Sequence, residues 1–329
     1  MGERRKWRYF IVCGLLCQFL LGCGLFMEEI PEGQAIGAGP DDHFVTVGDI
    51  RYHYREYPAT GKNLLLIHGF ASSTYTWEKV APQLQKLGYH VWALDMKGFG
   101  WSDKPKGAAY DPVTLTEEVS QWMDAVGLSE AVFVGNSLGG GIAALMAIIH
   151  PYKVGSLVLI DAAAYNTKFP FIMKMARMPL AAEVMKLFFS PWLVRQTLSE
   201  VYCHGDWITD EQVRAYYDRG RTKHALDAQI AVTKALEFKK FEHFVNRIPE
   251  IDMKALVIWG EKDRWIPLES AYRFNSEIRH SKLVVIPECG HIPQEEFPVL
   301  TAKLIAAFLE VKPVEELLPM DTGMYMAVQ

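Results

Sequence analysis

Short apolar runs alternate with stretches of helical periodicity over most of the chain. Residues 44–57 alternate around Gly48-Asp49, which predicts a β-hairpin. Continuous apolar runs predict buried strands at 64–67, 90–94, 131–134, 156–160, 255–259 and 282–286. The helical periods that separate them lie at 77–87, 115–126 and 138–149. Strands that alternate with helices in this way predict a mostly parallel sheet flanked by helices.

The alternation stops between residues 164 and 249. This stretch is rich in Met, Phe and Trp, has helical periodicity and carries no strand signals. We therefore predict a helical lid at 164–249, inserted between two parts of an α/β core at 43–163 and 250–311. The last residues, 312–329, contain two prolines and little periodicity, and predict a loosely held tail.

The N-terminus has the pattern of a targeting segment. Four basic residues among the first eight precede an apolar run at 9–22, which is typical of a signal peptide or a short membrane anchor. Leu20-Leu21-Gly22-Cys23 is similar to a bacterial lipobox, in which Cys23 would be lipidated. We predict a signal or anchor at 1–22, a tether at 23–42 and an exported, membrane-anchored protein.

Composition excludes several classes of function. The chain has 50% hydrophobic and 22% charged residues and a net charge of -5, which is an ordinary globular profile. Because no basic stripe follows the first eight residues, a nucleic acid is not an expected partner, and a small apolar substrate fits better. Cys203 and Cys289 are the two cysteines of the body and are expected to be free thiols. No Cys/His spacing predicts a metal site.

Gly135-Asn136-Ser137-Leu138-Gly139 lies between a predicted strand and a predicted helix. In this setting a G-x-S-x-G sequence predicts a sharp turn that exposes a serine nucleophile, Ser137. The helix that follows begins with the Leu138 N–H group, which can stabilise an oxyanion.

A serine hydroxyl needs a base, and the base needs an acid to orient it. His291 follows the last predicted strand and lies at the same edge of the sheet as Ser137, so it is the expected base. Asp263 follows the preceding strand and is the expected acid. Asp161 is the alternative acid, and Glu261 is interpreted as a solvated loop charge.

Five segments together resemble the α/β-hydrolase superfamily. They are His68-Gly69-Phe70, DMKGFGWSDKP at 95–105, GNSLGG at 135–140, GEKD at 260–263 and CGH at 289–291. The resemblance covers roughly residues 43–310. It implies an α/β-hydrolase fold with about eight strands in a mostly parallel sheet and a helical lid. It also implies an oxyanion hole formed by the N–H groups of Phe70 and Leu138, a structural role for His68, and chemistry without a cofactor.

The DMKGFGWSDKP segment is most similar to the branch that holds haloalkane dehalogenases, epoxide hydrolases and carbon–carbon bond hydrolases. The first two use aspartate where this chain has Ser137, so neither activity is expected. The carbon–carbon bond hydrolases commonly place an aromatic residue where Ile292 stands, and this departure favours a carboxylesterase. A carbon–carbon bond hydrolase and a noncatalytic small-molecule receptor remain the alternatives. Arg195 or Arg214 could meet a substrate carboxylate, although solvated surface positions are the expectation for both.

Overall fold

A nine-stranded sheet forms the centre of the protein. The computed structural model describes residues 39–165, 170–310 and 326–327. The strands of the sheet are β1 Asp42–Val47, β2 Ile50–Tyr57, β3 Asn63–Ile67, β4 His90–Leu94, β5 Ala131–Asn136, β6 Val154–Ile160, β7 Ala255–Gly260, β8 Ser281–Ile286 and β9 Met326–Ala327. Their order is β1-β2-β4-β3-β5-β6-β7-β8-β9, and β3 to β8 are parallel. The predicted α/β-hydrolase fold with a mostly parallel sheet is confirmed.

Helices surround this sheet. They are α1 Ala81–Lys86, α2 Pro112–Ala125, α3 Leu138–Ile149, α4 Phe171–Ala176, α5 Pro179–Leu187, α6 Pro191–Val201, α7 Asp210–Gly220, α8 Ala225–Ala235, α9 Phe238–Val245, α10 Glu269–Glu277, α11 Pro293–Glu296 and α12 Pro298–Glu310. The helices α4 to α9 follow β6 and precede β7, with no described strand among them. We refer to these six as the inserted helices.

The sheet has an apolar core on each face. Along β3, Leu65 and Ile67 belong to one cluster of buried side chains, and Leu64 and Leu66 belong to the other. This alternation follows from the period of two along a strand, and it explains why strands covered on both faces are continuously apolar. Trp122 of α2 lies in the first cluster.

Three local boundaries differ from the sequence prediction. The predicted helix at 77–87 consists of a short 3₁₀ helix, Thr74–Trp77, and α1, which begins near Pro82 because proline fits only the first helical turn. The strand β1 begins at Asp42, one residue inside the predicted tether. Within the predicted tail, Met326–Ala327 pairs with β8 as an antiparallel strand.

The predicted signal or anchor and Cys23 lie outside the described residues. Among the residues that the structure does describe, no helix is both long enough and apolar enough to cross a membrane.

Candidate active site

Ser137 occupies a strained turn between β5 and α3. Its φ is 53° and its ψ is -119°, a combination that costs a side-chain-bearing residue about 1–3 kcal/mol. Two close backbone approaches make this turn possible. A Cβ atom on Gly135 would lie 2.2 Å from the Gly139 carbonyl oxygen, and one on Gly139 would lie 2.2 Å from that of Ile67. Only glycine fits at either position, so these residues allow Ser137 to project at the carboxyl end of β5.

His291 and Asp263 form a buried pair beside this turn. His291 Nδ1 lies 2.7 Å from Asp263 Oδ2 and donates to it. The other carboxylate oxygen, Oδ1, accepts from the backbone N–H groups of Trp265 at 2.7 Å and Ile266 at 3.1 Å. Three donors thus hold the Asp263 carboxylate in place. Within the described part of the chain, His291 Nε2 meets no hydrogen-bond partner, which leaves it available to a proton donor in the cavity.

Asp161 lies next to this pair without replacing Asp263. Ligand atoms of Asp161, Asp263 and His291 all lie within 4.8 Å of one another. Asp161 Oδ1 accepts from the Gly260 N–H at 3.0 Å. Burial raises the pKa of Asp161 well above its usual range, and the neighbouring Asp263 carboxylate raises it further. Because the hydrogen bond of His291 Nδ1 goes to Asp263, the geometry favours Asp263 as the acid.

Two backbone N–H groups lie close to this turn. Leu138 is the first residue of α3, and Phe70 lies in the loop after β3. Among the described residues, neither N–H group meets an acceptor. A Cβ atom on Gly69 would lie 3.0 Å from Ser137 Cβ, so the Phe70 loop approaches the serine closely. Both predicted oxyanion donors are therefore adjacent to Ser137.

Two neighbours of the site were missed by the sequence analysis. Asn136 Nδ2 donates to the carbonyl oxygens of Ile160 at 3.2 Å and His291 at 3.0 Å, and so ties the serine turn to the histidine loop. The Trp265 ring packs against the His291 ring with their centroids 5.6 Å apart. A buried asparagine at the variable position of G-x-S-x-G was the available signal for the first. Nothing in the sequence places Trp265 against the histidine.

Two apolar cavities meet at Ser137. The first, of about 160 Å³, is lined by Ser137 and His291 together with Phe70 and side chains of α4, α5, α6 and α8. The second, of about 100 Å³, is lined by Ser137 and Leu138 together with side chains of α3 and α9. Phe70, Met173 and Trp265 contribute to both. The nucleophile candidate thus lines both apolar spaces.

The other residues singled out in the sequence lie elsewhere or have structural partners. His68 is buried, with Nδ1 2.7 Å from the Gly69 carbonyl oxygen and Nε2 accepting from the Met96 N–H at 3.2 Å. Arg195 donates to Asp210 and to the Ile208 carbonyl oxygen. Neither Arg195 nor Arg214 is among the residues that line the two cavities.

Within the described part of the chain, one further group of potential metal ligands lies outside the serine site. Cys203, His204 and Glu288 bring one ligand atom each within 4.8 Å of one another. Glu288 is ion-paired with Lys262 at 3.5 Å, and the His204 ring packs on that of Trp207 at 4.6 Å between centroids. Cys203 and Cys289 are both free thiols. Since Glu288 and His204 already have partners of their own, we assign the cluster no metal.

Comparison with known proteins agrees with the fold. The family described as the α/β-hydrolase fold matches residues 62–298. Uncharacterized hydrolase YugF of Bacillus subtilis is 29% identical over 269 residues, which cover 80% of this chain and 96% of YugF. Lipase 1 of Psychrobacter immobilis is 29% identical over 272 residues, which cover 80% of this chain and 82% of the lipase.

Relatives with carbon–carbon bond chemistry lie at somewhat lower identity. A 2-hydroxy-6-oxononadienedioate/2-hydroxy-6-oxononatrienedioate hydrolase of Pseudomonas putida is 24% identical over 271 residues, covering 80% of this chain and 92% of that protein.

Among solved structures, a bacterial membrane phospholipase A is 29% identical with a TM-score of 0.68, covering 82% of this chain and 86% of that one.

Proposed function

Because this chain belongs to the α/β-hydrolase fold family and is a hydrolase, we propose that it is a serine carboxylesterase acting on small to medium apolar esters. One observation carries the proposal: Ser137 lines two apolar cavities, and His291, which is paired with Asp263, lines the first of them. An ester has an acyl half and an alcohol half on either side of its carbonyl, and two apolar spaces accommodate both.

The proposed reaction follows from the positions of these groups. Ser137 Oγ attacks the ester carbonyl carbon while His291 Nε2 accepts the hydroxyl proton. Asp263 stabilises the imidazolium, and the N–H groups of Phe70 and Leu138 stabilise the oxyanion. The intermediate then expels the alcohol, which takes its proton from His291. Water, deprotonated by His291, releases the acid from the acyl-enzyme and restores Ser137.

A carbon–carbon bond hydrolase with the same three residues is the second candidate, supported by the relative from Pseudomonas putida. That relative's named substrates are dioates, which carry two carboxylates. Among the described residues that line the cavities beside Ser137, Lys186 is the one lysine or arginine, and it is already paired with Glu183 and Asp227. Burying an unpaired substrate carboxylate is costly, so the apolar lining favours an uncharged ester.

Hydrolysis of p-nitrophenyl esters of graded chain length tests the proposal. Ser137→Ala is expected to abolish turnover, whereas Ser276→Ala, which alters an exposed serine outside both cavity linings, is expected to retain it. Labelling by a fluorophosphonate, followed by mass analysis, is expected to place the adduct on Ser137. Turnover of a vinylogous diketone without any ester turnover would favour the second candidate. Ligand binding without turnover or labelling would favour a receptor.

Localisation is part of the same proposal. We infer that the protein is exported and held at a membrane through its N-terminus, by a lipid on Cys23 or by a retained anchor. The basic flank, the apolar run at 9–22 and the Leu20-Leu21-Gly22-Cys23 sequence support this inference.

A further inference from the structure

The loop that carries His291 contacts the end of an inserted helix directly. We call residues 287–292, between β8 and α11, the histidine loop. The His291 N–H group donates to the carbonyl oxygen of Val201, the last residue of α6, at 2.7 Å. A Cβ atom on Gly290 would lie 2.2 Å from the same oxygen and 2.7 Å from the Cys203 nitrogen, so only glycine fits there. The two backbones thus meet without a side chain between them.

One carboxylate holds both sides of this contact. Glu296 Oε1 accepts from the Gly290 N–H group at 2.7 Å, and Glu296 Oε2 accepts from the Cys203 N–H group at 2.8 Å. Within the described part of the chain, neither N–H group meets another acceptor, so both depend on this side chain. Glu296 thus joins the residue before His291 to the segment that follows α6.

The backbone position of His291 matters for its proposed role as the base. The bond from Nδ1 to Asp263 fixes how the ring is turned, but the place of Nε2 also depends on where the backbone lies. The His291 N–H group is held by Val201, and the His291 carbonyl oxygen by Asn136 at 3.0 Å. A displacement of about 1 Å in a reacting group can cost about a hundredfold in rate. A bond at the preceding residue, Gly290, acts on the same geometry.

The neighbouring glutamate has a different attachment. Glu295 precedes Glu296 in α11 and accepts from Tyr202 at 2.9 Å and from Thr76 at 2.6 Å. These bonds fasten the end of α6 to the core, but among the described residues the hydrogen bonds of Glu295 do not reach the histidine loop. Two adjacent carboxylates thus hold the end of α6, and Glu296 is the one that also bonds to the histidine loop.

We propose that Glu296 is a positioning residue for His291. Its carboxylate fastens the histidine loop to the end of α6, so that His291 Nε2 keeps its place in the cavity that Ser137 lines while this part of the inserted helices is in place. The kinetic side of the inference rests on the proposed esterase function, whereas the position of His291 does not. The inserted helices then have a role in catalysis besides lining the cavities, because the base is held from their side.

Steady-state kinetics of p-nitrophenyl ester hydrolysis test this role. Glu296→Ala removes both acceptors and is expected to lower kcat about a hundredfold, the effect of a displaced reacting group. KM is expected to stay within about threefold, because Glu296 lines neither cavity and a contact that acts in the transition state leaves substrate binding unchanged. Glu296→Gln keeps one acceptor oxygen and is expected to lower kcat only about tenfold. A kcat of Glu296→Ala within about twofold of the wild type would overturn the proposal.

Tyr202→Phe is the matched control. It removes the hydroxyl bond to Glu295 beside Cys203 and so loosens the same end of α6, but it leaves both bonds of Glu296 in place. Urea unfolding is expected to show a lower midpoint for Tyr202→Phe and for Glu296→Gln, whereas the kcat of Tyr202→Phe is expected to stay within about twofold of the wild type. Equal losses of kcat in these two variants would contradict the positioning role, because general loosening of α6 would explain them.

Proton NMR of the His291 Nδ1–H group tests the position of the base without turnover. A proton in a buried bond to a carboxylate exchanges slowly with water, and its exchange becomes faster when the structure around it opens locally. The His291 signal is expected to be lost through exchange in Glu296→Ala and Glu296→Gln and to be kept in Tyr202→Phe. His53, whose Nδ1 lies 2.7 Å from Asp95, provides a reference signal that should persist in every variant. An unchanged His291 signal in both Glu296 variants would overturn the proposal.

The two measurements also separate this inference from the proposed function. If the wild type turned over no ester, the esterase proposal would fail, while the His291 signal would still decide the role of Glu296. If Glu296→Ala did not fold, Glu296→Gln would carry both measurements. Ester turnover by the wild type, together with an unchanged kcat and an unchanged His291 signal in Glu296→Gln, would leave the esterase proposal intact and overturn the positioning role.

Discussion

Two buried carboxyl groups lie beside His291, and their different surroundings define different roles. Asp263 bonds directly to His291 Nδ1 and accepts two backbone N–H groups. Asp161 has its pKa raised by burial and by the neighbouring Asp263. The division of roles between the two carboxyl groups is thus a property of single residues and their partners.

Replacing each carboxyl group by an amide tests this division. Asp263→Asn is expected to lower kcat for ester hydrolysis by about 10³–10⁴, because an amide at this position favours the wrong histidine tautomer. Asp161→Asn keeps the acceptor for the Gly260 N–H and is expected to lower kcat less than about tenfold. Steady-state kinetics on a p-nitrophenyl ester measure both. A larger loss in Asp161→Asn than in Asp263→Asn would reverse the assignment.

At the scale of elements, one carboxylate joins the inserted helices to the core. Glu295 of α11 accepts hydrogen bonds from Thr76 at 2.6 Å, from Tyr202 at 2.9 Å and from Tyr216. The Tyr216 hydroxyl also lies 3.3 Å from Ser72 Oγ, in the loop that carries Phe70. The two tyrosines thus share Glu295, but one of them also contacts the loop beside Ser137.

Removing the hydroxyl of Tyr202 or of Tyr216 distinguishes an effect on stability from an effect on catalysis. Tyr202→Phe and Tyr216→Phe are each expected to lower the free energy of unfolding by about 1–2 kcal/mol, because each removes a buried hydrogen bond to a carboxylate. Only Tyr216→Phe is expected to lower kcat as well, by about tenfold, since the Phe70 N–H loses its support. Urea unfolding and ester kinetics on both variants provide the comparison. Equal kcat values in the two variants would show that the Ser72 contact has no role in positioning.

A second polar cluster fixes β1 and β2 to the end of β4. His53 Nδ1 lies 2.7 Å from Asp95 Oδ2, and His53 Nε2 lies 3.0 Å from Asp42 Oδ1. Burial lowers the pKa of His53, but the Asp95 charge and the bonds to both carboxylates outweigh it and raise the pKa overall. Burial likewise raises the pKa of Asp42, but the bond to His53 and the charge of Arg55 outweigh it and lower the pKa to about 2.

These opposite shifts predict a pH window for the stability of the cluster. The stability from His53 is complete below its unfolded pKa, about 6.5, and is lost as the pH rises through its higher folded value. The stability from Asp42 is complete above its unfolded pKa, about 3.9, and is lost as the pH falls toward 2. His53→Gln is therefore expected to cost most near pH 5.5, about 3 kcal/mol, and less at alkaline pH.

Urea unfolding of His53→Gln and the wild type at several pH values measures this window. His280→Gln is a suitable control, because His280 and Asp252 form an exposed pair at 3.4 Å that is worth little. We expect a small and nearly constant difference for the control. A His53→Gln penalty that did not change with pH would exclude a charged His53 from the cluster.

Regular features of the whole molecule were predictable from the sequence, and long-range contacts were not. The period of two and the continuous apolar runs predicted β3 to β8, because burial on both faces leaves a direct pattern along the chain. The G-x-S-x-G sequence placed Ser137 in the turn between a strand and a helix that were both predicted. In contrast, the bond from Asn136 to the His291 carbonyl oxygen joins residues 155 positions apart, and no local pattern encodes it.

For the inserted helices, too, the sequence predicted the elements but not their packing. Their helical periodicity was readable, but which side of α5 faces the cavity was not, because both sides are apolar. The pairing of Met326–Ala327 with β8 was also missed, since a two-residue strand is too short to show a period. Sequence patterns therefore predicted the architecture and the candidate nucleophile, whereas the packing around the nucleophile required the structure.

The attachment of the whole molecule to a membrane is tested through three cysteines of the N-terminal segment. If Cys23 is lipidated, expression in a bacterium with labelled palmitate is expected to label the wild type but not Cys23→Ala. Cys13→Ala and Cys17→Ala alter cysteines of the same segment upstream of the expected cleavage point, and both should keep the label. Intact mass should show a chain that begins at Cys23. If the wild type instead retains Met1, and the Cys23→Ala variant still stays in the membrane fraction, the apolar run at 9–22 is a retained anchor.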